Sequence, residues 1–96
     1  MKRRPSNSKP LLHRLRQHID AVDARLLHLL TQRAALALHV RRIKKREGWK
    51  LLDPVREQAI LRRMITANSG PLTPQAVRAI YRTILTQMRR LEQRAS

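Results

Sequence analysis

At 96 residues the sequence has room for one domain, and with no cysteine it offers neither a disulfide framework nor a thiolate metal site. Lysine and arginine total 22 against 6 acidic residues, a formal net charge of +16, so the partners such a surface suits are anions: nucleic acid, anionic lipid or a small anionic metabolite. Only Trp49 and Tyr81 are aromatic, too few for the stacking platforms of single-strand binders, and no apolar run reaches the length of a membrane span.

The chain opens on "MKRRPSNSKP". Its basic start resembles that of a signal peptide, but no apolar segment follows, so a soluble, cytoplasmic protein is expected. Residues 1–10 read as a mobile basic tail and residues 11–96 as the helical domain. His13, His18, His28 and His39 never recur at the H-x-x-x-H spacing that would stack two ligands on one helix face. No metal and no cofactor is expected.

From Leu11 to about Glu47 there is neither proline nor glycine. Leu15, Ile19, Val22, Leu26, Leu29 and Leu36 recur at helical spacing and form one apolar face. Gly48 ends the helix, after Lys44, Lys45 and Arg46, cations that suit a helix C-terminus. About 37 residues at ~1.5 Å rise make a rod of roughly 55 Å, whereas a compact domain of this size has a radius of gyration near ~13 Å. The apolar stripe along such a rod calls for a second copy of the chain. An intertwined homodimer is therefore expected.

The second helix is announced by "LLDPVREQAILRRM", with Asp53 as N-cap, Pro54 in the first helical position, and Ile60, Leu61, Met64 and Ile65 as its apolar side. "NSGP" at 68–71 breaks it. A third begins with Thr73 as N-cap and Pro74 behind it, and its stripe is Val77, Ile80, Ile84, Leu85, Met88 and Leu91. No strand pattern and no internal repeat appear. The fold class expected is all-α, three helices per chain with one very long.

Two cations interrupt the apolar face of the first helix. Arg33 and Lys44 are 11 residues apart, close to ~3 turns, with Ala37 and Val40 between them on the same face. An unpaired buried cation is costly. Either these side chains snorkel to the rim or they line a cavity that holds an anion. Glu57, one turn into the second helix beside Arg56, is open to two readings as well. It can favour the helix dipole from an exposed first turn, or serve as the acceptor in a polar pocket with Arg33 and Lys44. Such a pocket suits a small polyanion that carries a hydroxyl group. Arg41, Arg42, Lys45, Arg62, Arg63, Arg89 and Arg90 turn away from it and read as solvated surface that steers an anion.

"LRQHIDAVDARLLHLLTQRAALALHVRRIKK" resembles the first helix of the all-helical chorismate mutases, and "DPVREQAILRRMI", "NSGPLT" and "AIYRTILTQMRRLE" continue the likeness in order over about residues 11–93. It is nearest in flavour to the mutase domain of bifunctional chorismate mutase–prephenate dehydratases. With no dehydratase region following, a monofunctional enzyme is implied. The resemblance implies an intertwined dimer with two active sites and an isomerase that converts chorismate to prephenate in aromatic amino acid biosynthesis. Arg16 matches the arginine that reaches into the partner's site, Arg33 the in-chain arginine that binds a carboxylate, and Lys44 the lysine that donates to the ether oxygen. Asp53, Arg56 and Glu57 match the start of the second helix. There Glu57's counterpart and the backbone near that of Asp53 hold the substrate hydroxyl, and Arg56's counterpart orders the site. The spacing agrees with the trans role: Arg16 and Lys44 are 28 residues apart, ~42 Å along a helix, too far to serve one pocket from one chain.

The third helix departs from the family pattern. Where the family often has Ser and then Gln or Glu, this chain has Met88 and Glu92. Methionine cannot replace a hydroxyl donor, and Glu92 donates to an ether oxygen only when protonated. A rival register through Thr83 and Gln87 needs a deletion and leaves Thr83 off the apolar stripe. Expected catalytic residues are thus Lys44, Arg33 and Glu92, with Arg16, Arg33, Lys44, Asp53, Arg56, Glu57, Met88 and Glu92 binding substrate. The reaction needs no nucleophile and no cofactor, in keeping with a sequence that has no Cys or Ser–His signature. The rival readings are isochorismate–pyruvate lyase or aminodeoxychorismate mutase on the same scaffold and, in a different class, a basic helical nucleic-acid binder.

Overall fold

A computed structural model describes residues 8–95. It consists of three helices, α1 (Ser8–Glu47), α2 (Pro54–Ala67) and α3 (Pro74–Arg94), with no strand among the described residues. The all-α class follows. Helix α1 begins earlier than expected, and residues 8–10 of the supposed tail are helical. Pro10 falls in the first turn, where a missing N–H breaks no helical hydrogen bond. Residues 1–7 of that tail lie outside the described residues.

The C-terminus of α1 is closed by Gly48. Its φ of 72° is left-handed, a conformation glycine adopts without steric cost. Gly48 N–H donates to the Lys45 carbonyl (3.3 Å) and Trp49 N–H to the Lys44 carbonyl (2.8 Å). This pair of bonds is a Schellman motif, which satisfies the orphan carbonyls of the last turn. Helix α2 starts as the sequence predicts. The Asp53 carboxylate accepts from Arg56 N–H at 3.0 Å, and Pro54 follows the cap. It ends at Asn68, whose N–H reaches the Met64 and Ile65 carbonyls, and whose side chain spans the turn to Leu72 O (2.7 Å) and Gly70 N (3.1 Å). Helix α3 is capped by the Thr73 hydroxyl, which accepts from Ala76 N–H at 3.1 Å.

The chain divides into two compact units, the first ending at Arg33 and the second beginning at Ala34. In the described part of the first unit, Leu15, Ile19, Val22, Leu26 and Leu29 each leave about half of their surface in solvent (49–58%). The apolar face read from the sequence is present and lies half in solvent.

In the second unit α2 and α3 pack together around Ile60, Leu61 and Leu85, with Met64 and Tyr81 against them and Val77 and Met88 also buried. One position of the expected α3 stripe falls outside this core. Ile80 is exposed, and Tyr81 packs against the core in its place. Val77, Tyr81, Leu85 and Met88 keep the i, i+4, i+8, i+11 spacing of one face, which turns Ile80 outward.

Candidate active site

The residues expected to bind substrate fall on three stretches of the second unit and on the first unit. Lys44 lies in the last turn of α1, half-buried, and its ammonium donates to the Leu51 carbonyl at 3.2 Å. The cation is therefore held by the loop that leads into α2. On the part of α1 within the second unit, Ala34, Ala37, Leu38, Arg41 and Lys44 are all half-buried. Their steps of three and four residues define one face. Val40, expected on the wall with Lys44, is exposed at 47%.

Arg41 belongs to that face, contrary to the expectation that it is solvated surface. It is part-buried, and its Nε–H donates to the backbone carbonyl of Glu92 on α3. The signal was available in the sequence. Arg41 follows Ala37 by one turn and precedes Lys44 by three residues, whereas the longer step from Arg33 to Lys44 favoured Val40 instead.

The start of α2 holds Asp53, Arg56 and Glu57. Asp53 spends its carboxylate on the N-cap, and its carbonyl accepts from Glu57 N–H at 3.1 Å. Arg56 is exposed. Glu57 is half-buried, and its Oε2 lies 3.1 Å from Arg89 Nε on α3. That nitrogen is out of contact with solvent and makes no aligned hydrogen bond, so the contact is ionic. Arg89 also donates from Nη2 to the Thr86 hydroxyl at 3.1 Å. Arg89 too was expected at the solvated surface. The structure places it instead on the carboxylate read as the pocket's acceptor.

An open cleft runs between α2 and α3 at this point, lined among others by Glu57, Gln58, Arg82, Thr86 and Arg89. Its chemistry is that of an anion site with one acidic acceptor. Two guanidinium groups supply charge, a hydroxyl and an amide supply hydrogen bonds, and Glu57 is available to a donor.

On α3, Met88 is buried at 9% exposure and packs as a core residue, while Glu92 is half-buried. A thioether in the core leaves no hydroxyl donor at this position. Thr83 and Gln87, the rival pair, are exposed, and the Thr83 hydroxyl turns back to the Ala79 carbonyl at 3.0 Å. Arg16 and Arg33 belong to the first unit, where Arg16 is exposed and Arg33 half-buried.

Three helices of this length and order, with a half-buried lysine closing the first and an acid opening the second, define an all-helical protein. The sequence profile of type II chorismate mutases matches residues 15–93. The chain belongs to that family. It is 34% identical over 87 residues to bifunctional chorismate mutase/prephenate dehydratases of Stutzerimonas stutzeri and Pseudomonas aeruginosa, matching 85% of this chain and 24% of each relative. The chain thus spans about a quarter of the length of the curated relatives it matches. Among solved structures, the Form II chorismate mutase of Thermus thermophilus superposes with a TM-score of 0.85 at 28% identity, covering 88% of this chain and 97% of that one. A Helicobacter pylori chorismate mutase in complex with prephenate superposes at 0.79 with 31% identity, covering 88% and 91%. Among the described residues no helix is long and apolar enough to cross a membrane.

Proposed function

We propose that this chain is a chorismate mutase, an isomerase that converts chorismate to prephenate by intramolecular rearrangement. The observation that carries the reading is Lys44, a half-buried cation held at the end of α1 in a chain that belongs to the chorismate mutase family. In the rearrangement one ether C–O bond breaks as a C–C bond forms within the same molecule. No atom is gained or lost and no net proton transfer is needed. Catalysis then rests on holding the reactive conformer and on stabilising the charge that grows on the ether oxygen.

In this reading Arg16 and Arg33 clamp the two carboxylates, Lys44 donates to the ether oxygen, and protonated Glu92 donates to the same atom. Glu57 and the backbone near Asp53 hold the ring hydroxyl, Arg56 orders the site, and buried Met88 contributes packing. The working form is an intertwined homodimer, with Arg16 supplied by the partner. Two observations support it. The apolar face of α1 is uncovered along the first unit, and the buried core of the chain is confined to Ile60, Leu61, Val77, Leu85 and Met88 among the described residues. Burying each such side chain contributes about 1.5–3 kcal/mol. That is too little to offset the ordering of a chain this long.

The test is the loss of chorismate absorbance with purified protein from about pH 5 to about pH 8, with the product identified as prephenate. Turnover of isochorismate or aminodeoxychorismate with none of chorismate would move the assignment to a sister activity. A salt-dependent shift of duplex DNA with no turnover would replace it by the nucleic-acid reading.

A further inference from the structure

We propose that Arg89 is a positioning residue that fixes and neutralises the Glu57 carboxylate, so that one carboxylate oxygen stays available to the substrate's hydroxyl group; this rests on the chorismate mutase reading above. Glu57 is the only acid on α2 and stands in its first turn. A carboxylate there faces a chemical conflict. It must accept a hydrogen bond from a substrate that itself carries two negative charges, and bare like charges repel. The structure supplies a remedy. Arg89 Nε lies 3.1 Å from Glu57 Oε2, with side-chain exposures of 41% and 27%. Because that nitrogen is shut off from solvent and makes no aligned hydrogen bond, the guanidinium acts on Glu57 through its charge.

Arg89 is itself pinned. Its Nη2 donates to the Thr86 hydroxyl one turn back on α3, at 3.1 Å. Thr86 and Arg89 together line the cleft that Glu57 enters from α2. The contact is made through Oε2, which leaves Oε1 for the hydroxyl. Pairs this exposed contribute little to stability. If the pair served stability alone, its loss would move neither substrate affinity nor rate. If it serves Glu57, its loss raises KM more than it lowers kcat, and only while Glu57 is present.

The test is a double-mutant cycle on chorismate turnover with Arg89→Ala, Glu57→Ala and the double variant, each checked for wild-type circular dichroism. Arg89→Ala in the wild-type background is expected to lower kcat/KM roughly tenfold, chiefly through KM, and in the Glu57→Ala background by less than about twofold. Arg89→Lys should recover part of the loss, because it restores the charge. Equal losses in both backgrounds, or no loss in either, would overturn the proposal. Should Arg89→Ala fail to fold, Arg89→Gln removes the charge with little change in bulk and is held to the same pair of outcomes. Two outcomes bear on the underlying reading instead. A wild-type protein without turnover of chorismate overturns the function, and wild-type kinetics in Glu57→Ala overturn the role of Glu57, with Arg89's role falling in both cases.

Discussion

The ammonium of Lys44 donates to the backbone carbonyl of Leu51 at 3.2 Å, so the last turn of α1 is tied to the loop that delivers α2. One side chain thus joins the two pieces of chain that carry the proposed ether-oxygen donor and the proposed hydroxyl acceptor. An ammonium has three donors. Holding it on one carbonyl leaves two for a ligand and limits the conformers it must give up on binding.

Lys44→Ala separates the structural from the chemical use of this group. Losing one part-buried hydrogen bond costs about 1 kcal/mol of stability. Losing a fixed charge on an oxygen that becomes negative in the transition state costs about 10²–10³ in kcat. A collapse of kcat/KM in a folded variant is expected, read from chorismate absorbance and thermal melting together. Near-wild-type turnover would sink the assignment of Lys44.

The proposed homodimer with Arg16 in trans makes a quantitative prediction. Arg16→Ala and Lys44→Ala homodimers should both be nearly inactive. Unfolding and refolding them as an equal mixture forms heterodimers, in which one site carries both lesions and the other carries none. With random pairing about a quarter of all sites regain wild-type composition. Recovery of about a quarter of wild-type activity after mixing is expected. If both residues serve one site from the same chain, no activity returns.

The three helices were legible because their signals are local. Asp53–Pro54 and Thr73–Pro74 each pair a cap with a proline that fits the first turn, and Gly48 marks a left-handed stop. The placement of Lys44, Glu57 and Glu92 on their helices was likewise readable from motif order. What remained hidden depended on which way a helix is rotated. Arg41 and Arg89 look like surplus charge in a chain of 22 cations, and only the packed helices bring them to Glu92 O and Glu57 Oε2. Ile80 and Tyr81 are adjacent and both apolar enough to fill the stripe. The choice between them is made by α2, not by the sequence of α3.

Glu92 should give the reaction a pH dependence. In its proposed role as a donor to the ether oxygen it works only in its protonated form, so activity is expected to be highest at acid pH and to decline as the carboxyl ionises. Glu92→Gln keeps a donor at every pH. The variant should therefore lose the decline and exceed wild type at the alkaline end of a kcat/KM profile measured from about pH 5 to about pH 8. Parallel profiles for the two proteins would remove Glu92 from the chemistry.

Gly48 offers a test of fold without chemistry. Its φ of 72° is left-handed, and a Cβ built there meets nothing within 4 Å. Gly48→Ala therefore creates no clash with a neighbour, and its whole cost is the backbone penalty of about 1–2 kcal/mol for an L-residue in this conformation. The Schellman bonds to Lys44 and Lys45 depend on that conformation. Two outcomes are distinguishable by melting and kinetics measured on the same protein. If alanine holds the left-handed turn, stability falls by this amount while kcat/KM stays near wild type. If the turn relaxes instead, the Trp49–Lys44 bond is lost, the end of α1 frays, and Lys44 loses its register with Leu51. The first is expected, because the Lys44–Leu51 bond and the Asp53 cap both hold the loop from its far side.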